Sequence, residues 1–375
     1  MRFADIAGQR EVIDKLVRMT GEGRVPHAIL FTEEPGYGAL PIALAFVQYI
    51  SCNNKKEGDS CGVCPSCNKI SKLIHPDLHF AVPVNTTKKI TSDKKPVTDH
   101  FLDNWRSAVV SNPYISEEEW YEEIGMEEKS GLISVNESAV MLKKLSLMSY
   151  EGGGKFMLIW LPERMNRECA NKLLKILEEP AEGTFFLLVT QSAGDLLSTI
   201  ISRCQVIMLK PEDPMTLAKE IGARCNLQDE EAGYIASVSG GSFGNAIAIS
   251  REKEADSQFP SMFCNLLDNC IAKNLSGVIT SWEEIAQMGR EKQKQFCGYA
   301  LNYLRKCYMY SIGNESSAFI LSREKESVIR YSKSVKPEFW EKAYVLINKA
   351  VEDLERNVNP KFVFADLSNR FFISL

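Results

Sequence analysis

The stretch from Lys155 to Cys204 does most to narrow what this chain can fold into. Phe156 to Trp160 is a short apolar run opened by the three glycines at 152–154, which suits a buried parallel strand. From Glu163 onward, Met165, Cys169, Leu173, Leu174 and Leu177 recur at three- and four-residue steps and predict one apolar helical face. Pro180 ends that helix, because its ring cannot donate a hydrogen bond and does not fit against the preceding turn. Phe185 to Thr190 reads as a second buried strand. Leu196 to Ile201 reads as a short apolar helix pointing at Ser202-Arg203-Cys204.

Composition sets the bounds around this unit. With 375 residues the chain has material for two or three domains. Charged residues at 25% and hydrophobic ones at 45% are those of an ordinary soluble globular protein, and a net charge of −5 argues against a stand-alone nucleic-acid binder. No stretch has the length and polarity of a transmembrane helix, and the first residues lack an apolar signal core. Eleven cysteines, an odd total scattered mostly singly, then point to a reducing cytoplasm and no membrane partner.

Residues 52–67 hold the second strong signal. Cys61, Cys64 and Cys67 form two interlocked CxxC steps, and Cys52 lies upstream. Four thiolates in a Gly/Asp/Ser/Pro-rich loop suit a tetrahedral structural zinc site with no open position for catalysis. A disulfide is disfavoured by the compartment, and a redox CxxC leaves the other two cysteines without a task. His75 and His79 lie close enough in sequence to be alternative ligands.

The run Leu-Leu-Lys-Ile-Leu-Glu-Glu-Pro at 173–180, followed by Ser-Arg-Cys at 202–204, is similar to the core of the clamp-loader ATPases, a branch of the AAA+ family. The resemblance covers the whole chain except residues 85–131. It implies an α/β AAA+ core, a parallel sheet flanked by helices, over 1–210. A zinc module is inserted at 51–68, a small helical lid domain follows at 211–255, and an all-α C-terminal collar domain occupies 256–375. The C-x₈-C-x₂-C-x₂-C spacing resembles the family's zinc module, in which His75-Pro76-Asp77 would be a plain link into the next strand. Phe3, Gly8-Gln9 and His27-Ala28 resemble the family's opening, with His27 as a packing residue at the start of the strand Ala28 to Phe31.

After that strand a phosphate-binding loop GxxxxGK[ST] is due, which needs a glycine cradle, a lysine and a hydroxyl for Mg²⁺. Here the first glycine is Glu33, the lysine Ala39 and the hydroxyl Leu40; Gly36 and Gly38 are vestiges. A carboxylate points where phosphate oxygens would lie, with no cation to compensate it. Aligned through Met165, the two Walker B acidic positions fall on Trp160 and Leu161, and Glu163 reads as an exposed helix-start residue favoured by the dipole. Gly240 to Ala246 resembles the second-sensor motif with Asn245 in place of arginine. Three parts of one nucleotide site are missing together, so productive ATP binding is not expected.

Arg203 survives. In this family the Ser-Arg-Cys arginine reaches across a subunit interface into a neighbour's ATP site, a task that suits an always-charged planar guanidinium; the plainer reading is a surface arginine paired with a local carboxylate. The resemblance thus implies a non-hydrolysing subunit of a hetero-pentameric DNA polymerase III clamp loader. Its partners would be gamma/tau and delta subunits, the sliding clamp, and primed DNA through the complex. The alternatives are an active gamma/tau-type ATPase and a degenerate AAA+ zinc-containing DNA-binding adaptor.

Residues 85–131 fall outside the resemblance. Lys88, Lys89, Lys94 and Lys95, Trp105, Trp120 and an acidic cluster from Glu117 to Glu128 predict a partly helical surface insertion, with a partner-specific docking element as the alternative. Val135 to Tyr150, carrying Met141, Leu142, Leu145 and Met148, reads as a core helix. Lys210 to Pro214 reads as a hinge. Pro337 opens a helix with Phe339, Ala343, Leu346, Ile347, Ala350 and Leu354 on one stripe, and Phe364, Leu367 and Phe371 mark a last one.

Overall fold

The computed structural model describes residues 1–375 other than 88–89, 92–94, 127–128, 153, 256–257, 315–319, 321 and 357. Lys88, Lys89, Lys94, Gly153, Asp256 and the Glu127-Glu128 end of the acidic cluster therefore lie outside the described residues. Two compact units emerge, Met1–Ala248 and Ile249–Leu375.

In the first unit, α1 (Arg10–Gly21) leads to β1 (Ala28–Thr32), α2 (Ala39–Ser51), α3 (Pro65–Ser71) and β2 (Leu78–Ala81). Then come α4 (Leu102–Ser111), α5 (Glu117–Glu123), α6 (Val135–Leu145), β3 (Lys155–Trp160), α7 (Arg167–Glu178), β4 (Thr184–Thr190), α8 (Ser198–Ile201) and β5 (Gln205–Met208). The strands form one parallel sheet in the order β2-β3-β4-β1-β5. Alternate residues divide between two apolar layers, as the period of two requires. Ile29, Phe31, Leu158, Trp160, Leu187 and Val189 face one layer with α1, α2 and α4; Ala28, Leu30, Met157, Ile159, Phe186 and Leu188 face the other with α6 and α7. Helices on both faces leave β1, β3 and β4 almost wholly apolar, which is why those runs were legible.

Three expectations need correction here. The first is that residues 85–131 form a surface insertion. The region is partly helical, but Trp105 and Trp120 are fully buried and belong to the main core with Phe101, Val109, Ile115 and Ile124. The Trp105 ring centroid lies 5.1 Å from that of Trp120 and 5.1 Å from that of Trp160, and the Trp120 indole N–H donates to the Pro83 carbonyl at 2.8 Å. Second, the helix from Val135 stops at Leu145, and Met148 is 94% exposed. Asp77 accounts for the stop: its carboxylate takes the amides of Tyr150 at 2.7 Å and Glu151 at 2.9 Å, while the Lys155 ammonium takes the freed carbonyls of Leu145 and Leu147. Third, α7 begins at Arg167, capped by Asn166 accepting from the Cys169 amide at 2.8 Å. Glu163 instead sits in a 3₁₀ turn and is half-buried.

The unit closes with α9 (Pro214–Cys225), α10 (Asp229–Val238) and α11 (Phe243–Ala255), the last running past the boundary between units. The second unit contains α12 (Phe259–Ile271), α13 (Leu275–Gln287), α14 (Arg290–Ser311), α15 (Ser322–Ser334), α16 (Pro337–Glu355) and α17 (Pro360–Ser374). It is helical throughout its described residues. Its core carries the expected stripe, Phe339, Ala343, Ile347, Ala350 and Leu354 of α16 packed with Phe364, Leu367 and Phe371 of α17.

Candidate functional site: a filled phosphate loop and an arginine at the far end of the sheet

The loop between β1 and α2 has the shape of a phosphate cradle. Gly36 and Gly38 adopt φ values of 83° and 105°, a region that side-chain-bearing residues rarely enter, and the α2 amides open toward the turn. The Glu33 carboxylate fills that turn: one oxygen accepts from the Gly38 amide at 2.7 Å and the Ala39 amide at 2.8 Å. Compensation for the carboxylate thus comes from backbone donors rather than a cation. Burial still pushes the Glu33 carboxyl up to about 7, against the pull of those amides.

Two further groups close over the loop. Tyr114, from the segment between α4 and α5, lies so near Gly38 that a Cβ there would be 3.0 Å from its Cε1, and its hydroxyl accepts from the Ala7 amide at 3.1 Å. Its ring packs on Phe243 with centroids 4.9 Å apart. From the second-sensor segment, the Gly244 amide donates to the Gly36 carbonyl at 2.9 Å and the Ser242 hydroxyl to the Pro35 carbonyl at 2.9 Å. A Cβ on Gly244 would lie 2.8 Å from Gly36 Cα, so glycine is required there. Asn245, at the arginine position, is exposed. The segment from Lys210 to Pro214 is tied down as well, with the Gln9 amide donating to Glu212 at 2.8 Å.

At the end of β3, Trp160 points into the core rather than toward the loop, and Leu161 is buried. Glu163 bridges to β4, accepting from the Thr190 hydroxyl at 2.7 Å and the Gln191 amide at 2.9 Å. It is a structural tie, which corrects the reading of an exposed helix-start residue.

Arg203 lies elsewhere. β1 and β5 run parallel in the register Ile29 with Gln205 and Thr32 with Met208. The phosphate loop leaves β1 after Thr32, whereas Arg203 precedes Gln205, so the two occupy opposite ends of the same strands, separated by roughly 10–13 Å of strand at ~3.3 Å per residue. Arg203 donates to the Thr199 carbonyl at 2.9 Å and pairs with Glu178 at the end of α7. The pair is open to solvent, with side chains 33% and 49% exposed, and such pairs contribute about 0–1 kcal/mol.

The four cysteines converge. The sulfurs of Cys52, Cys61, Cys64 and Cys67 all lie within 4.8 Å of one another, the one such metal-competent cluster among the described residues. Cys52 accepts from the Cys61 amide at 3.2 Å, and Cys64 caps α3 by accepting from the Cys67 amide at 3.5 Å. Amides of Val63 and Cys64 pull the Cys61 thiol down to about 6, whereas burial pushes the Cys67 thiol up. A cation among them would offset that burial and hold all four as thiolates, so the donor set fits a metal ion. His75 is no alternative ligand: one ring nitrogen faces Glu151 at 3.0 Å and the other accepts from the Asp77 amide at 3.2 Å. His27 meets the Leu177 carbonyl at 3.2 Å, a packing position. All eleven cysteines are free of disulfides.

Sequence reasoning missed Tyr114 and Asp59. Asp59 accepts from the amides of Phe3 at 3.1 Å and Ala4 at 2.9 Å and so ties the cysteine loop to the first turn; the Gly-Asp-Ser turn around it was its one signal. Nothing local marks Tyr114.

A five-stranded parallel sheet with a phosphate-type loop after β1, a four-cysteine module and a helical C-terminal unit define a clamp-loader-type AAA+ chain. Residues 8–213 match the family described as DNA polymerase III, delta subunit. A DNA polymerase III subunit delta' of Yersinia pestis is 30% identical over 192 residues, covering 51% of this chain and 43% of that one. The delta' subunit of Haemophilus influenzae is 28% identical over 196 residues, with 52% and 46% covered. A tau subunit of Escherichia coli is 27% identical over 211 residues, with 56% and 26% covered. The chain spans about half the length of these delta' relatives. It belongs to the DNA polymerase III delta' clamp-loader family of AAA+ proteins.

Proposed function

We propose that this chain is a non-hydrolysing stator, the delta' subunit of a DNA polymerase III clamp loader. It presents Arg203 in trans to the ATP of a neighbouring gamma/tau-type subunit and helps load the sliding clamp onto primed DNA. One observation carries the reading: Arg203 and the chain's own phosphate loop stand at opposite ends of β1 and β5, which supports a guanidinium directed at a phosphate held by another subunit. The filled loop supports the absence of intrinsic turnover, because Glu33, Trp160, Leu161 and Asn245 stand where nucleotide chemistry needs glycine, two acids and arginine.

In the same reading Cys52, Cys61, Cys64 and Cys67 hold a structural zinc ion, residues 211–255 act as the lid domain and 256–375 as the collar. Solvent-exposed Val345 of α16 and Phe362 and Ile373 of α17, 66%, 73% and 80% exposed, give the collar apolar surface for neighbouring subunits, delta among them. The test is equilibrium binding of ATP·Mg²⁺ to the isolated chain, with turnover assayed on the same sample. Neither is expected. Tight binding with turnover would favour the gamma/tau-type alternative.

A further inference from the structure

The phosphate loop is more than a site that has lost its lysine. Its donors are assembled and aimed, with Gly36 and Gly38 in the left-handed region and two amides converging on one point. That point is held by an oxygen of the chain's own Glu33 side chain. The residue leaves the end of β1 and is anchored there, its amide donating to the Thr190 carbonyl at 3.1 Å, so the carboxylate is delivered from a fixed base. We propose that Glu33 is an internal phosphate surrogate: it occupies the oxyanion position of the loop, excludes phosphate-bearing ligands, and locks the loop in the closed form that a bound phosphate would otherwise impose.

The surroundings fit a lock. In a working loop the closed form comes and goes with the ligand, because the amides need an anion before they are satisfied. Here the accepting oxygen is covalently attached, so it is always present. Tyr114 over Gly38, the Gly244 amide on the Gly36 carbonyl and the Ser242 hydroxyl on the Pro35 carbonyl all depend on that one loop conformation. Glu33 thus holds together the loop and the segment from Gly240 to Gly244. This deepens the reading of a subunit whose own site is silent, but it concerns the isolated chain and does not require Arg203 to act in trans.

Two variants separate the surrogate from an incidental contact. Glu33→Ala removes the carboxylate and leaves the amides of Gly38 and Ala39 unsatisfied. Its thermal midpoint is expected to rise with added inorganic pyrophosphate, by roughly 5–10 °C at about 100 times the dissociation constant. Hydrogen exchange at Gly38 and Ala39 should be slow in wild type, fast in the variant and slow again with pyrophosphate. Glu33→Gln keeps an acceptor oxygen in the turn, so slow exchange and indifference to pyrophosphate are expected, as in wild type. Should the alanine variant not fold, Glu33→Gly, the residue a working loop carries there, takes its place. The proposal fails if a folded variant without the side chain gains nothing from pyrophosphate. It fails equally if wild type binds pyrophosphate at these amides as strongly as that variant does.

Discussion

At Glu33 the balance between burial and two backbone donors sets a measurable dependence on pH. An ordinary glutamate carboxyl near 4.5 in the unfolded chain is pushed up to about 7 in the fold by burial, which favours the protonated form. A raised carboxyl contributes stability that is fully present below about 4.5 and is lost as pH rises through about 7. Glu137, buried with the Thr98 amide at 2.7 Å, follows the same course for the same reason. Glu33→Gln should remove one share of that slope and leave the share of Glu137. Thermal midpoints taken from pH 4.5 to 8 check this, and a profile parallel to wild type throughout would contradict it. At this scale the sequence was legible where a motif fixes local geometry, at the four cysteines, whose sulfurs converge. The place of Glu33 was readable too, but not its partners, because backbone amides leave no trace in residue identity.

Among the elements, the α4–α5 region shows where composition misleads. Its exposed side carries Glu118, Glu122, Glu123 and Lys95, which set the charge pattern, while its burial rests on single large residues in helices too short to show a period. Trp105 packs on both Trp120 and Trp160, so the three tryptophans form one buried group. Trp105→Ala should therefore cost about 3–5 kcal/mol. Urea unfolding of the whole chain tests this, and a loss under ~1 kcal/mol would return the segment to the surface. The cysteine loop was legible for the opposite reason, since thiolate spacing is local. If the four cysteines hold zinc as proposed, Cys61→Ser should lower its content and destabilise the first unit, because binding at such sites is coupled to folding. Elemental analysis of chelator-free wild type finding no zinc would defeat that assignment.

For the whole molecule, apolar runs marked single buried strands and apolar stripes marked single helices, while the assembled parallel sheet and the helical second unit were what the family resemblance implied. What periodicity could not give is which end of the sheet each polar residue occupies; that required the register of β1 with β5. Arg203 keeps the pairing with a local carboxylate that the plainer reading expected, Glu178, and the same register places it away from the chain's own loop. If the second unit joins subunits, Ile373→Asp on α17 should weaken co-elution with gamma/tau and delta subunits while leaving the isolated chain folded; undiminished co-elution would remove that face from the collar.

The most direct test of the central claim is ATP turnover by the loader reconstituted with Arg203→Ala. Arginine fingers in the best-studied NTPases contribute roughly 10³–10⁵ in rate. Assembly should be unchanged, and turnover at the facing site should fall by at least about 10³-fold, with Arg203→Lys failing to restore it because an ammonium lacks the planar fork. Wild-type turnover from the alanine complex, with assembly intact, would contradict the account.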